Sequence, residues 1–435
     1  MSQAQDRDDL TRVGPGTVMG EFMRQYWIPA ALSSELPVDG DPMRLLLLGE
    51  KLIAFRDSAG RVGVMDQRCP HRCASLFLGR NEESGLRCIY HGWKFDVSGR
   101  CVDMPSVPAE RDFKDKVKAR AYRVAERNGL IWVYMGKRPD APPLPAIEPA
   151  LLPKADMDQQ FVQRRCNWLQ ALEGDIDTSH FGFLHMGCVK LDDLDPDDPL
   201  RYTVTNRAPD YHVAEAPWGT TYAAHRPADP GQTYWRVANF MFPFWTQTPA
   251  GAFPTHVGAR AWVPMDDEHT MFVHLHWKAV SPSVPAARRD GTVPAHLKRV
   301  NDYLPNETGW YGRWRLSASE DNDWQIDRAA QRAGRSFTGI GNIHLQDQAV
   351  TESMGPIIDH DLENLGFSDR MIALTRRRLL QAARAWRAGE AVPPGVDDAA
   401  LYLTARSGFF LCEDGLDWRE AYARQVKTAA RPAAL

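Results

Sequence analysis

Long apolar runs are missing from this 435-residue chain: the Leu45-Leu46-Leu47-Leu48 block is the longest candidate, far short of the roughly 20 residues a spanning helix needs. No membrane span is therefore expected. Cysteine is scarce, with seven residues, an odd number that supplies no disulfide framework and fits a reducing, cytoplasmic compartment. Neither charge sign dominates, since 52 Lys and Arg face 56 Asp and Glu for a net −4, so composition offers no attraction for nucleic acid or an anionic membrane surface. The opening residues, Met1 to Asp9, are polar and acidic and read as no secretory leader. A glycine-rich nucleotide loop is also lacking: Gly14-Pro15-Gly16 with Gly20 has no strand before it, and Pro15 spoils the turn. Aromatics, by contrast, are plentiful, with 14 Trp.

What is present is an interleaved pair of thiols and imidazoles, Cys69-Pro70-His71 and Cys88-Ile89-Tyr90-His91-Gly92-Trp93. Structural zinc sites group their ligands by type, cysteines first and histidines after, and this pattern does not. A 2Fe-2S centre of the Rieske kind needs two Cys on one iron and two His on the other, which two such loops provide. Neutral imidazole in place of thiolate makes the cluster accept an electron more readily. Gly92 is expected to turn the backbone tightly and leave its amide for the sulfurs, and Trp93 to cover the cluster from water. Cys73 has no ligand role and is expected as a small buried residue.

Short apolar segments at Met43–Ala54 and Val62–Met65, a hairpin through Ser98-Gly99-Arg100, and a buried strand at Leu130–Met135 make the first third a small β domain. The proline-rich stretch Arg138–Pro145 is a linker. Beyond it, Trp168–Leu184 begins with helical character and strands alternate from about Tyr202 to Val280, among them Trp235–Phe240 and Thr270–Trp277. The last third is helical again, with Ser368 as N-cap of a helix over Asp369–Ala388 that ends at Gly389, and a frayed tail from Arg424. The fold class is α+β.

An electron carrier needs only the first domain, so the remainder must use the electron. Asp177, His180 and His185 lie in the stretch Asp177-Thr178-Ser179-His180-Phe181-Gly182-Phe183-Leu184-His185. Asp177 and His180 are expected to share a helix face. His180 and His185 would diverge on a regular helix, but Gly182 permits a wide turn of the i to i+5 kind that occurs at functional sites. Two converging histidines and a carboxylate would make the facial triad of a non-haem Fe(II) oxygenase.

Together, Cys69-x-His71, Cys88-x-x-His91 and Asp177-x-x-His180-x-x-x-x-His185 resemble the catalytic α subunit of Rieske non-haem iron oxygenases across most of the chain. Gly14-Pro15-Gly16-Thr17, Asn322–Arg328 and Gln346–Ile357 are similar to the phthalate dioxygenase branch, which also holds phenoxybenzoate dioxygenases and aryl O-demethylases. The resemblance implies an N-terminal segment (1–42) packing on the catalytic domain, an all-β Rieske domain (43–140), a linker (141–160), a catalytic domain with an antiparallel sheet flanked by helices in a helix-grip arrangement (161–425) and a tail (426–435). It implies one 2Fe-2S cluster on Cys69, His71, Cys88 and His91, and one mononuclear Fe(II) on His180, His185 and a C-terminal carboxylate. Asp323, Asp327, Asp347 and Asp359 compete for that place, and spacing does not choose among them; similarity to the family's Gln-Asp segment assigns Asp347, with Asp359 next. Asp177 then links the iron site to His91 of a neighbouring subunit in a homotrimer or stacked trimers.

The implied partners are O2, an aromatic substrate and a separate NAD(P)H-dependent flavin/iron-sulfur reductase. The expected reaction is cis-dihydroxylation of a phthalate-type aromatic carboxylate; the alternatives are O-demethylation of a methoxy- or phenoxybenzoate, or electron transfer without oxygenase activity. A buried anion needs a cation, and Arg207 and Arg236 are the candidates. His274 and His276, with no carboxylate placed near them, read as cavity lining or packing, and Arg376-Arg377-Arg378 as a solvated helix face.

Overall fold

The computed structural model describes residues 3–278 and 301–429. The first domain combines two antiparallel sheets. One has six strands in the order Trp27–Leu32, Leu130–Tyr134, Ala121–Arg127, Val62–Asp66, Glu50–Arg56, Met43–Leu47; the other has four, Arg80–Glu82, Gly85–Arg87, Lys94–Phe95 and Cys101–Asp103. The side chains between them, among them Ile53, Phe55, Leu76, Leu86 and Phe95, are fully buried and enclose Cys69 and Cys88. A thiolate site is thus built inside an apolar shell.

The second domain is an eight-stranded sheet in the order Met157–Arg164, Thr270–Trp277, Gly258–Pro264, Trp245–Gln247, Gln232–Met241, Gly219–Pro227, Asp210–Ala216, with Gly408–Glu413 also paired to Gln232–Met241. All its pairings are antiparallel. Helices Trp168–Ile176, Ile343–Ser353 and Arg370–Arg387 accompany it. The last buries Met371, Thr375, Leu379, Ala382 and Ala383, a stripe at helical spacing. It stops before Gly389, whose φ of +75° is the left-handed conformation a helix end favours.

Several boundaries differ from expectation. Helices Gln3–Thr11 and Val18–Met23 pack beside Arg370–Arg387, where Arg384 pairs with Asp6 and Asp9, but Trp27–Leu32 joins the first domain's own sheet. The described part of this segment, residues 3–42, therefore serves both domains. The expected linker 141–160 already contains the start of strand Met157–Arg164, and helix Trp418–Thr428 runs through the expected fraying point at Arg424 into the expected tail. Tyr202 lies in a short helix, Arg201–Thr205, and the strands begin at Asp210; Val280 falls outside the described residues. Asp369, not Ser368, occupies the N-cap of the long helix.

Arg376 corrects the solvated-face reading. Its guanidinium grips Glu173 at 2.6 and 2.7 Å and Glu363 at 2.6 and 2.8 Å, within the packed layer between helices. Arg377, by contrast, is largely exposed. Successive residues on a helix turn about 100° apart, so a run of three points in three directions, and here one of them, Arg376, falls on the packed side.

Candidate active site

The two cluster loops are held by their own backbones. Cys69 N–H donates to Ala74 O at 2.8 Å, and Cys88 N–H to Trp93 O at 2.9 Å. Gly92 has a φ of +78°, and a Cβ there would lie 2.6 Å from Pro105 Cγ, so only glycine fits the turn. Its amide donates to Cys88 O at 3.0 Å and is not left for the sulfurs. Trp93 is buried and stacks on His71 at 4.2 Å, while the His71 and His91 rings lie 4.4 Å apart. Cys73 departs from expectation: it is exposed, at a φ of +59°, because the turn that returns its N–H to Cys69 O points it outward.

The donor set fits a two-iron cluster. Both thiols are buried, the two imidazoles meet edge to face, and the buried His91 Nδ1 has no hydrogen-bond partner. Burial, with Cys88 beside it, pushes the Cys69 thiol up to about 12, a shift that a positive centre held by this sulfur would oppose.

In the second domain, Asn167 caps helix Trp168–Ile176 by accepting from Leu169 N–H. The helix ends before Asp177, which is extended, and a π-helical turn follows over Phe181–His185. Asp177 and His180 therefore meet, Oδ2 to Nδ1 at 3.4 Å, across a helix end and not along a shared helical face. The wide turn brings His185 back, with the two Nε2 atoms 3.2 Å apart. Asp347, from the helix Ile343–Ser353 that Asn342 caps, places Oδ1 3.0 Å from His185 Nε2 and 3.6 Å from His180 Nε2. The three ligand atoms lie within 4.8 Å of one another.

This convergence of two imidazoles and one carboxylate suits a divalent iron with open positions. Asp359 does not join it: that carboxylate sits near the surface beside Arg7 and caps Asp361 N–H. Asp327 caps its own short helix at Ala330 N–H, and Asp323 lies in an exposed kinked segment.

Charge within the site is mutually supporting. Burial would depress His180, but Asp177 and Asp347 outweigh it and hold the imidazole above its ordinary value. Burial likewise opposes ionisation of Asp347, yet His185 and His180 hold it well below the usual carboxylate range. His185 Nδ1 faces Gln346 Oε1 at 2.7 Å, and Gln346 Nε2 donates to Ile340 O at 2.9 Å, which fixes the ring. Sequence reasoning gave Gln346 no role, although it adjoins Asp347 in the motif.

A cavity opens on the triad, lined by His180, His185 and Asp347 together with Phe181, Tyr222 and His344. Two arginines line it. Arg260 is neutralised by Asp175, which also accepts from Thr246 Oγ1 at 2.6 Å and Trp262 Nε1 at 3.1 Å. Arg236 has no such carboxylate: its Nε donates to Thr178 Oγ1 at 3.1 Å, its guanidinium lies over Phe181 at 4.4 Å, and its buried Nη1 has no hydrogen-bond partner. Arg207 is placed elsewhere, outside the cavity lining, packed on Gly182 with its Nη atoms 3.4 Å from Gly187 O. His274 packs on His344, a cavity residue, with rings 5.6 Å apart, and His276 does have a carboxylate beside it, Asp158 at 3.6 Å across the strand pair. Among the described residues no helix is long and apolar enough to cross a membrane.

Comparison with known proteins places the chain in a family. Residues 26–121 match the Rieske [2Fe-2S] domain family, and residues 133–434 match the "LigXa C-terminal domain like" family. The chain is 52% identical to the 3-chlorobenzoate-3,4-dioxygenase oxygenase subunit of Comamonas testosteroni, over 99% of this chain and 100% of that one. It is 36% identical to the phthalate 4,5-dioxygenase oxygenase subunit of Pseudomonas putida, over 96% and 94%. In fold it is similar to dicamba monooxygenase, with a TM-score of 0.54 at 18% identity, covering 85% of this chain and 99% of that one. The family carries a Rieske cluster and a mononuclear iron and works with a separate electron-donating component. The chain thus belongs to the Rieske non-haem iron oxygenase α subunits, the terminal oxygenases of aromatic ring-hydroxylating and demethylating systems.

Proposed function

We propose that this oxygenase cis-dihydroxylates an aromatic carboxylate, using O2 and electrons from a separate NAD(P)H-dependent flavin/iron-sulfur reductase. The observation that carries the substrate class is Arg236, a buried cation that lines the cavity with no carboxylate of its own. A guanidinium in that setting is stabilised by an incoming anion, and its planar donors match a carboxylate. The relatives described above are named for 3-chlorobenzoate and phthalate, both aromatic carboxylates, in keeping with this reading.

Cys69, His71, Cys88 and His91 would hold the cluster, and His180, His185 and Asp347 the iron. When bound, these groups supply single electrons and activation of O2. Arg236 anchors the carboxylate, Phe181 supports the guanidinium from one face, and Thr178 orients it through Nε. Gln346 keeps His185 Nε2 turned toward Asp347. Asp177 retains partial exposure while touching His180, so it can be met by His91 of a second copy in a head-to-tail trimer.

The test is turnover with a reductase against 3-chlorobenzoate, phthalate, a phenoxybenzoate and a methoxybenzoate, with product identification. A cis-diol from a carboxylate substrate is the expected product. Formaldehyde from the methoxybenzoate without any diol would replace the reading with O-demethylation, and turnover confined to neutral aromatics would refute it.

A further inference from the structure

The cavity wall that presents Arg236 is one face of the hairpin Gly219–Pro227 and Gln232–Met241. Residues directly opposite across the pair share a face, and so do alternate residues along a strand. The register sets Tyr222 opposite Ala238, Ala224 opposite Arg236 and Arg226 opposite Tyr234. Arg226 and Arg236 are therefore diagonal neighbours on the face that looks into the site, separated by the small side chain of Ala224. Tyr211, opposite Ala224 on the next strand, completes the surround.

Arg226 is completely buried, and neither of its Nη atoms has a hydrogen-bond partner. Its single bond runs from Nε to Asn206 O at 2.6 Å, which fixes the stem and leaves the charged fork unanswered. Other buried arginines among the described residues are answered, Arg24 by Glu50, Arg260 by Asp175 and Arg406 by Glu148, and so is the half-buried Arg376, by Glu173 and Glu363. Arg164 lies over the rings of Trp262 and Phe272. The charged group acting on Arg226 is Arg236, a like charge, and burial with that repulsion pulls Arg226 down to about 10. Two unanswered guanidiniums on one buried face are costly unless an anion joins them.

We propose that Arg226 is the second cation of the substrate-anion seat, a specificity-determining residue that acts on the carboxylate held by Arg236 through its field and not by contact. This rests on the reading of an aromatic carboxylate as substrate. The paired charge makes the pocket select carboxylates over neutral isosteres, because the anion cancels repulsion between the arginines as well as gaining its own attraction.

The experiment is calorimetric binding of 3-chlorobenzoate and of its neutral isostere 3-chlorobenzamide to the cluster- and iron-loaded enzyme, with steady-state turnover of the carboxylate. The proteins are wild type, Arg226→Met, Arg226→Lys and Arg236→Met. Arg226→Met is expected to weaken 3-chlorobenzoate by about tenfold or more, to leave the amide within about twofold, and to raise KM with kcat nearly held. Arg226→Lys is expected to recover most of the loss, since it returns the charge without the fork. Equal weakening of carboxylate and amide by Arg226→Met, no recovery with lysine, or unchanged carboxylate affinity would each overturn the proposal. Should Arg236→Met lose the discrimination while Arg226→Met keeps it, the role of Arg226 fails alone. Should wild type show no preference for the carboxylate, the substrate reading fails with it.

Discussion

Replacing Gln346 by leucine tests how the proposed iron site at His180, His185 and Asp347 is held together. Gln346 is completely buried, accepts at Oε1 from the His185 ring at 2.7 Å and donates from Nε2 to Ile340 O at 2.9 Å. Leucine fills similar space but does neither. The His185 Nδ1–H loses this acceptor, and the Ile340 carbonyl keeps the long 3.4 Å contact with Thr338 Oγ1. A buried polar group left unpaired costs about 1–3 kcal/mol, so Gln346→Leu should lower stability by about 2–4 kcal/mol. Loss of a group that orients a metal-binding histidine typically lowers affinity about 10- to 100-fold, about 1.4–2.8 kcal/mol. The assay is retention of iron against graded chelator, with the visible absorption of the cluster in the same sample as internal reference, because the cluster loops lie in the other domain. Iron should be released at a lower chelator concentration while the cluster signal holds. Gln346→Glu restores the acceptor and should recover most of the affinity. If Gln346→Leu retained iron within about twofold of wild type, packing alone would be positioning His185, and the orienting role would be wrong.

Two further outcomes follow from the packing. Arg376→Met leaves Glu173 buried without its counter-charge and should cost about 3–5 kcal/mol near neutral pH in denaturant unfolding. Burial already holds Glu173 above its ordinary value even with Arg376 beside it, so its ionisation destabilises the fold as pH rises. Burial also opposes ionisation of Glu363, but Arg376 outweighs it and holds that carboxyl low, a stabilisation present above the unfolded value and lost as pH falls. Both signs make the Arg376→Met penalty smallest in acid and larger as pH rises through the carboxylate range, and a penalty independent of pH would contradict this. Gly92→Ala forces a Cβ to within 2.6 Å of Pro105 Cγ at a φ of +78°, and should lower acid-labile sulfide per chain while the second domain still binds iron. Full cluster content in that variant would show that the loop yields.

The helices and strands that sequence patterning located were those with a clear period and a sharp stop, such as Thr270–Trp277 and the long helix before Gly389. The misplacements have local causes. Arg376 looked solvated because a run of three arginines has the composition of a surface, yet the helix turns one of them toward Glu173 and Glu363. Cys73 looked buried because cysteine usually is, yet the turn it closes points it outward. Trp27–Leu32 was assigned away from the first domain because its partner, Leu130–Tyr134, lies about a hundred residues later in the chain, beyond the reach of pattern reasoning.

What the amino-acid order determined by itself was chemistry carried within short loops: the thiol and imidazole sets of Cys69–His71 and Cys88–His91, and the histidine pair that a wide turn around Gly182 can converge. Ligands a few residues apart are brought together by local backbone alone, so their types and spacing are sufficient. The tertiary structure decided what depends on distant encounters. It chose Asp347 for the place beside His180 and His185 and left Asp359 at the surface, paired His185 with Gln346 161 residues away, and gave the cavity Arg236 while turning Arg207 aside. Sheet register, which sequence does not display, then set Arg226 diagonally beside Arg236. Those choices rest on which surfaces bury against each other, and burial is a property of the whole fold.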